Sequence, residues 1–139
     1  MTFEPLIEAS LAIQIHFYTV VPAFVLGTVQ MVLPKGTVVH RWNGYIYMAL
    51  MMVTATAAAF IPSFMGRGDA LIGGHFGYIH LFVVLTYVTV PLALWSARRG
   101  DVRGHRGAMI GLYIGGILIA GGLAFMPGRI LHETVFGPV

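Results

Sequence analysis

The chain has 139 residues, 58% of them hydrophobic and 9% charged, with a net charge of +3 and no cysteine. A soluble domain carries about 25% charged residues, so the composition excludes a water-soluble enzyme, and the missing cysteines exclude disulfides, thiolate metal sites and thiol catalysis. The positive charge calls for no nucleic acid, because basic loops beside anionic lipid headgroups account for it.

The leader MTFEPLIEAS has no Lys or Arg and carries Glu4 and Glu8, and the apolar run behind it is longer than a signal-peptide core, so it reads as a retained helix. No Asp, Glu, Lys or Arg occurs from Ala9 to Pro34, Trp42 to Gly66, Ala70 to Ala97, or Gly107 to Gly128. Crossing the ~30 Å hydrocarbon core takes about 20 helical residues, so each run holds one spanning helix, placed near 10–33, 43–64, 76–97 and 107–126. The runs are continuous rather than alternating, which excludes a transmembrane barrel. The fold expected is an all-α integral membrane protein, a single domain over 1–139 with four transmembrane helices in an up-down-up-down bundle.

Lys35 and Arg41 lie between the first two spans, and Arg98, Arg99, Arg103 and Arg106 between the last two; Arg67 and Arg129 fall on the opposite side. Short basic loops stay in the cytoplasm. Both termini are therefore expected outside, in a plasma membrane such as the bacterial inner membrane, with the lipid bilayer as the first partner.

Two stretches share a pattern. HFYTVVPAFVLGTVQMVLPKGTVVHRWNGYIY runs from His16 to Tyr47, and HLFVVLTYVTVPLALWSARRGDVRGHRGAMIGLY from His80 to Tyr113. Each has a His early in its first helix, a mid-span Pro, a basic residue with Gly at the turn, then His-Arg. This reads as a repeated hairpin, about 9–66 and 70–128. His16 and His80 then sit toward the outer face on spans one and three, and His40 and His105 at the inner face where spans two and four begin. Spans one and three are diagonal in such a bundle, as are two and four.

Paired neutral imidazoles across a bundle can ligate one haem iron, and ring nitrogens in hydrocarbon require a partner. On span one, His16, Val20, Ala23, Gly27 and Gln30 recur at helical spacing. On span four, Gly107, Gly111 and Gly115 form a GxxxGxxxG ridge able to admit a ring or a second helix; helix packing alone also explains such a ridge. His40 and His105 abut Arg41 and Arg106 at a basic membrane edge, where polar anchors are expected in any case. Trp42, Tyr45, Tyr47, Tyr78 and Trp95 fit an aromatic belt, and MALMM at 48–52 fits adaptable packing rather than a copper site. A cluster of His75, His80 and His16 is disfavoured because His75 and His80 point to different helix faces. No role is assigned to His132. There is no His-Glu-x-x-His, phosphate loop or nucleophile elbow.

The four-His arrangement resembles the four-helix core of the cytochrome b561 superfamily. The patterns HRWNGYIY and HRGAMIGLY resemble small four-helix predicted membrane proteins of the DUF2306 type. A fainter similarity, from His80 through PLALW to HRG, is to membrane proteins implicated in cytochrome oxidase maturation. The cytochrome resemblance implies haem b, with His16 and His80 ligating an outer iron, His40 and His105 an inner one, and Arg41 and Arg106 pairing with propionates. The chain departs from that pattern in lacking flanking fifth and sixth spans. The function expected is electron transfer across the membrane or to quinone. The alternative is a non-catalytic accessory or assembly subunit of a larger membrane complex, or a homo-oligomer, whose histidines are structural or contact quinone or lipid.

Overall fold

The computed structural model describes residues 3–62, 70–72 and 76–137. A single turn, α1 (Glu4–Ile7), leads into α2 (Leu11–Val32), which contains Pro22. Lys35 Nζ donates to the Gln30 and Met31 carbonyls, 2.7 and 2.9 Å away, satisfying acceptors left open at the end of α2. Gly36 turns the chain at φ 79°, a conformation that favours glycine. Thr37 then caps α3 (Val38–Ala59), its hydroxyl accepting from the His40 N–H at 3.1 Å.

The second hairpin repeats these devices. A 3-10 turn (Tyr78–His80) opens α4 (Leu81–Arg98), which contains Pro91. Gly100 turns the chain at φ 76°, and the Asp101 carboxylate accepts from the Gly104 N–H at 2.9 Å to cap α5 (Val102–Leu112). The helix continues as a π-helical stretch, Tyr113–Ile119, and then α6 (Ala120–Ala124); α7 (Ile130–Phe136) follows. A two-stranded antiparallel ribbon, β1 (Ala70–Ile72) with β2 (Phe76–Gly77), precedes α4. No expectation from the residue pattern included this ribbon.

Among the described residues, three helical segments are long and apolar enough to cross a membrane: Leu11–Val32, Tyr78–Arg98 and Val102–Ala124. With 22 residues, α3 matches α2 in length, but Arg41 and Asn43 in its early turns make it more polar. It also runs 38–59 rather than 43–64, because Thr37 caps it ahead of the polar residues. Likewise Asp101 starts the last long helix at 102 rather than 107, leaving His105 and Arg106 one turn inside it.

Around the bundle α2 packs on α3, α3 on α4, α4 on α5, and the π stretch back on α2, which leaves α2 diagonal to α4 and α3 diagonal to α5. Ala23, Tyr47, Met51, Ala93 and Leu112 form the centre of the core. Large apolar side chains such as Val32, Phe60, Val84 and Val88 are exposed on the outer faces, as expected of surface in contact with lipid rather than water. At the end remote from the Gly36 and Gly100 turns, α1 packs on α7.

Two sequence expectations change. Tyr47 does not belong to an aromatic belt: Trp42, Tyr45, Tyr78 and Trp95 are exposed, but Tyr47 is 1% exposed and central in the core. The glycine ridge does not present one packed face either. A Cβ at Gly115 would meet Leu85, whereas Gly107 and Gly111 face open space. The π stretch between Leu112 and Ala120 widens the turn, so spacing at i, i+4, i+8 no longer keeps one face.

Candidate functional site

The four histidines line two cavities, one at each end of the bundle. The end bearing Lys35, Arg41, Arg98, Arg99, Arg103 and Arg106 is called the basic end.

At the opposite end His16 from α2 and His80 from the start of α4 border a cavity of about 220 Å³, walled mainly by apolar groups including Phe17, Met51 and Phe82. The His16 ring Nδ1 lies 3.1 Å from the Thr54 carbonyl and donates to it, and Thr54 Oγ1 donates to Thr19 Oγ1 at 2.7 Å. His80 uses both ring nitrogens. Its Nδ1 accepts from the Gly77 N–H at 3.1 Å, which places the ring proton on Nε2, and Nε2 donates to the Ile61 carbonyl at 3.1 Å. His80 thereby ties the start of α4 to the chain beyond α3.

At the basic end a larger cavity of about 780 Å³ is bordered by His40, His105, Gln30, Tyr47, Met48 and Met109, with Lys35, Arg41 and Arg106 also on its wall. His40 from α3 and His105 from α5 approach across the diagonal, their ring centroids 6.4 Å apart and their planes at 75°. His105 Nδ1 donates to the Ala93 carbonyl at 2.9 Å. The Gln30 side-chain amide nitrogen lies 3.0 Å from His40 Nδ1 and donates to the His40 carbonyl at 2.9 Å, while Asn43 Nδ2 donates to Gln30 Oε1 at 2.5 Å and to the Leu26 carbonyl at 3.0 Å. Arg41 donates to the Gly36 carbonyl, its Nη2 3.2 Å away. His40 precedes the uncharged run that begins at Trp42. Burial first, then the positive charge of Lys35, holds its pKa below the usual histidine value, so it is neutral near pH 7.

Deepest in this group is Tyr47. Its hydroxyl is buried and has no hydrogen-bond partner among the described residues. Tyr47 lines this cavity, and since leaving such a group unpaired costs about 1–3 kcal/mol, a polar ligand atom that reaches it is favoured. Tyr47 was missed as a site residue: it shares the buried side of α3 with Gly44, Met51 and Thr54, which only the structure shows. The Gln30–Asn43–His40 network was also missed, because its members come from two helices.

Both diagonal pairs expected from sequence are thus brought to shared cavities. His132 lies apart, its Nδ1 donating to the Phe125 carbonyl at 3.0 Å. His75 and Arg67 lie outside the described residues. No group of three or more metal-ligating side chains occurs among the described residues.

A family model described as a predicted membrane protein (DUF2306) matches residues 13–126. No curated protein and no solved structure matches the chain.

Proposed function

The chain belongs to the DUF2306 family of predicted membrane proteins, and on that footing we propose that it is a small membrane-embedded redox subunit that binds a flat ring ligand between His40 and His105. The observation that carries this reading is the diagonal approach of those two imidazoles, 6.4 Å between centroids, beside a cavity of about 780 Å³. In this reading the uncharged part of α3, from Trp42 onward, is the fourth span, and His40 stands outside it. The basic end faces the cytoplasm of a plasma membrane, and both termini lie outside.

Haem b is the ring that the cytochrome likeness implies, and it would supply one-electron transfer. The basic-end pair supports it in spacing. A ring nitrogen lies about 1.2 Å from its centroid and a His–metal bond is about 2.0–2.1 Å, so two imidazoles opposed on one metal stand about 6.5 Å apart. His105 supports it further: its Nδ1–H is anchored on Ala93, the arrangement that orients Nε2 as a ligand. Arg41 and Arg106, on the same cavity wall, would pair with propionates. His40 fits less well, since no carbonyl or carboxylate bonded to its ring orients it as a ligand in the way Ala93 orients His105. The His16 and His80 pair fits least, because His80 would have to give up its bond to Ile61.

Visible absorption of the purified protein, oxidised and dithionite-reduced after haem supplementation, tests the assignment. A Soret band and a sharp alpha band that disappear in His105→Ala support haem at the basic end. Bands that disappear in His16→Ala alone move the site to the opposite end, and a folded protein without bands removes haem.

A second reading has its own observation. His16, His80 and His105 each bond a backbone carbonyl of another segment, which is how structural histidines tie helices together. In that case the chain is an accessory or assembly subunit of a larger membrane complex.

A further inference from the structure

The hydrogen-bond roles around the basic-end cavity are more selective than its size. Asn43 donates to both the Leu26 carbonyl and Gln30 Oε1, so the Gln30 oxygen is committed and its amide nitrogen faces His40. That nitrogen lies 3.0 Å from His40 Nδ1 and 3.4 Å from Nε2, close to both, so it sits over the ring face and in line with neither lone pair. Neutral His40 carries one ring proton, and with neither ring nitrogen committed in the ring plane it can present its N–H to the cavity. His105 is the reverse case. Its Nδ1–H is spent on the Ala93 carbonyl, and Nε2 keeps a lone pair. His105 offers an acceptor, and His40 is free to supply the donor.

A metal ion needs lone pairs from both rings. A hydroxyl needs one donor and one acceptor, which this pair can provide with His105 fixed as the acceptor. Its geometry fits as well: with a nitrogen about 1.2 Å from each centroid and hydrogen bonds of about 2.8 Å, two arms meeting at a tetrahedral oxygen put the centroids about 6.5 Å apart, against 6.4 Å observed. Tyr47 lines the same cavity, and its buried, unpartnered hydroxyl favours a second polar atom on the same ligand. Met48 and Met109 supply apolar, adaptable walls for the ring between.

We propose that this cavity binds the headgroup of a lipid-soluble para-quinol, one hydroxyl bridging His40 Nε2 and His105 Nε2 and the opposite oxygen bonded to the Tyr47 hydroxyl. The inference rests on the reading that a ring ligand sits between His40 and His105. It specifies the ring as a quinol rather than a haem, and it makes the reduced form the preferred one, since a quinone carbonyl cannot donate to His105.

The test uses the full chain in nanodiscs and a short-tailed ubiquinone, oxidised or reduced. Quinone binding is followed by quenching of the fluorescence of Trp42 and Trp95, and quinol binding by competition. The expected result is saturable binding, tighter for the quinol by about threefold or more, with Tyr47→Phe and His105→Gln each raising Kd about three- to tenfold, the range for one net hydrogen bond. Tyr47→Phe preserves the ring that fills the core, so its loss of affinity cannot be ascribed to misfolding. Identical Kd values in native protein and both variants overturn the proposal and leave the cavity to water. Haem bands that vanish in His105→Gln, with quinol excluded from the haem-loaded protein, overturn it while the ring-ligand reading stands. Failure to bind either ring sinks both.

Discussion

Tyr47 and Gly27 are packed so closely that a Cβ on Gly27 would lie 2.9 Å from Tyr47 Cε2, and 2.8 Å from Tyr113 Cδ2 on its other side. Neither ring can easily retreat. Tyr47 is fully enclosed, and the Tyr113 hydroxyl shares a 2.6 Å hydrogen bond with Thr28. Gly27→Ala should therefore destabilise the fold by about 1–3 kcal/mol through overpacking, outweighing the ~1 kcal/mol that Ala gains over Gly in a helix. Thermal unfolding in detergent checks this. A variant as stable as the native protein would mean that the two tyrosines are not locked against α2.

Tyr47→Phe should have opposite effects on stability and binding. With no ligand bound, removing an unpaired buried hydroxyl should leave stability unchanged or raise it by about 1 kcal/mol. A clear loss of stability in ligand-free protein would show that the hydroxyl already has a partner.

Stability should fall as the solution is acidified, and part of the fall belongs to His40. Its folded-state pKa is held below the usual 6.5. Above that value the group is neutral in both states. Below it the unfolded chain takes the proton first, so stability drops until the folded-state pKa is passed and then levels off. Thermal midpoints measured between about pH 7 and pH 5 should show a shallower decline in His40→Gln than in the native protein. Parallel declines would remove His40 as a source of the pH dependence.

Much of the architecture was legible because hydrocarbon imposes local rules. Uncharged runs located the long helices, and the face His16, Val20, Ala23, Gly27, Gln30 was read before its buried members could be seen. The repeated turn signals led to Gly36 and Gly100, both at positive φ. Diagonal pairing of the histidines also followed, since short turns leave few ways to order four helices. The boundaries of α3 and α5 were less legible, because Thr37 and Asp101 draw polar residues into helix ends that hydropathy alone would exclude.

The sequence by itself determined that this chain belongs in a membrane, where its helices run, and which histidines share an end of the bundle. Those properties depend on composition and on neighbours within a few turns. Only the tertiary structure decided which ring nitrogens remain to meet a ligand. Asn43 sets Gln30, Gln30 packs its amide over the His40 ring, and Ala93 sets His105, through contacts between helices that no local pattern records. The same holds for Tyr47, an interfacial tyrosine by its neighbours in sequence. Packing against Gly27 and the π stretch makes it a buried hydroxyl without a partner.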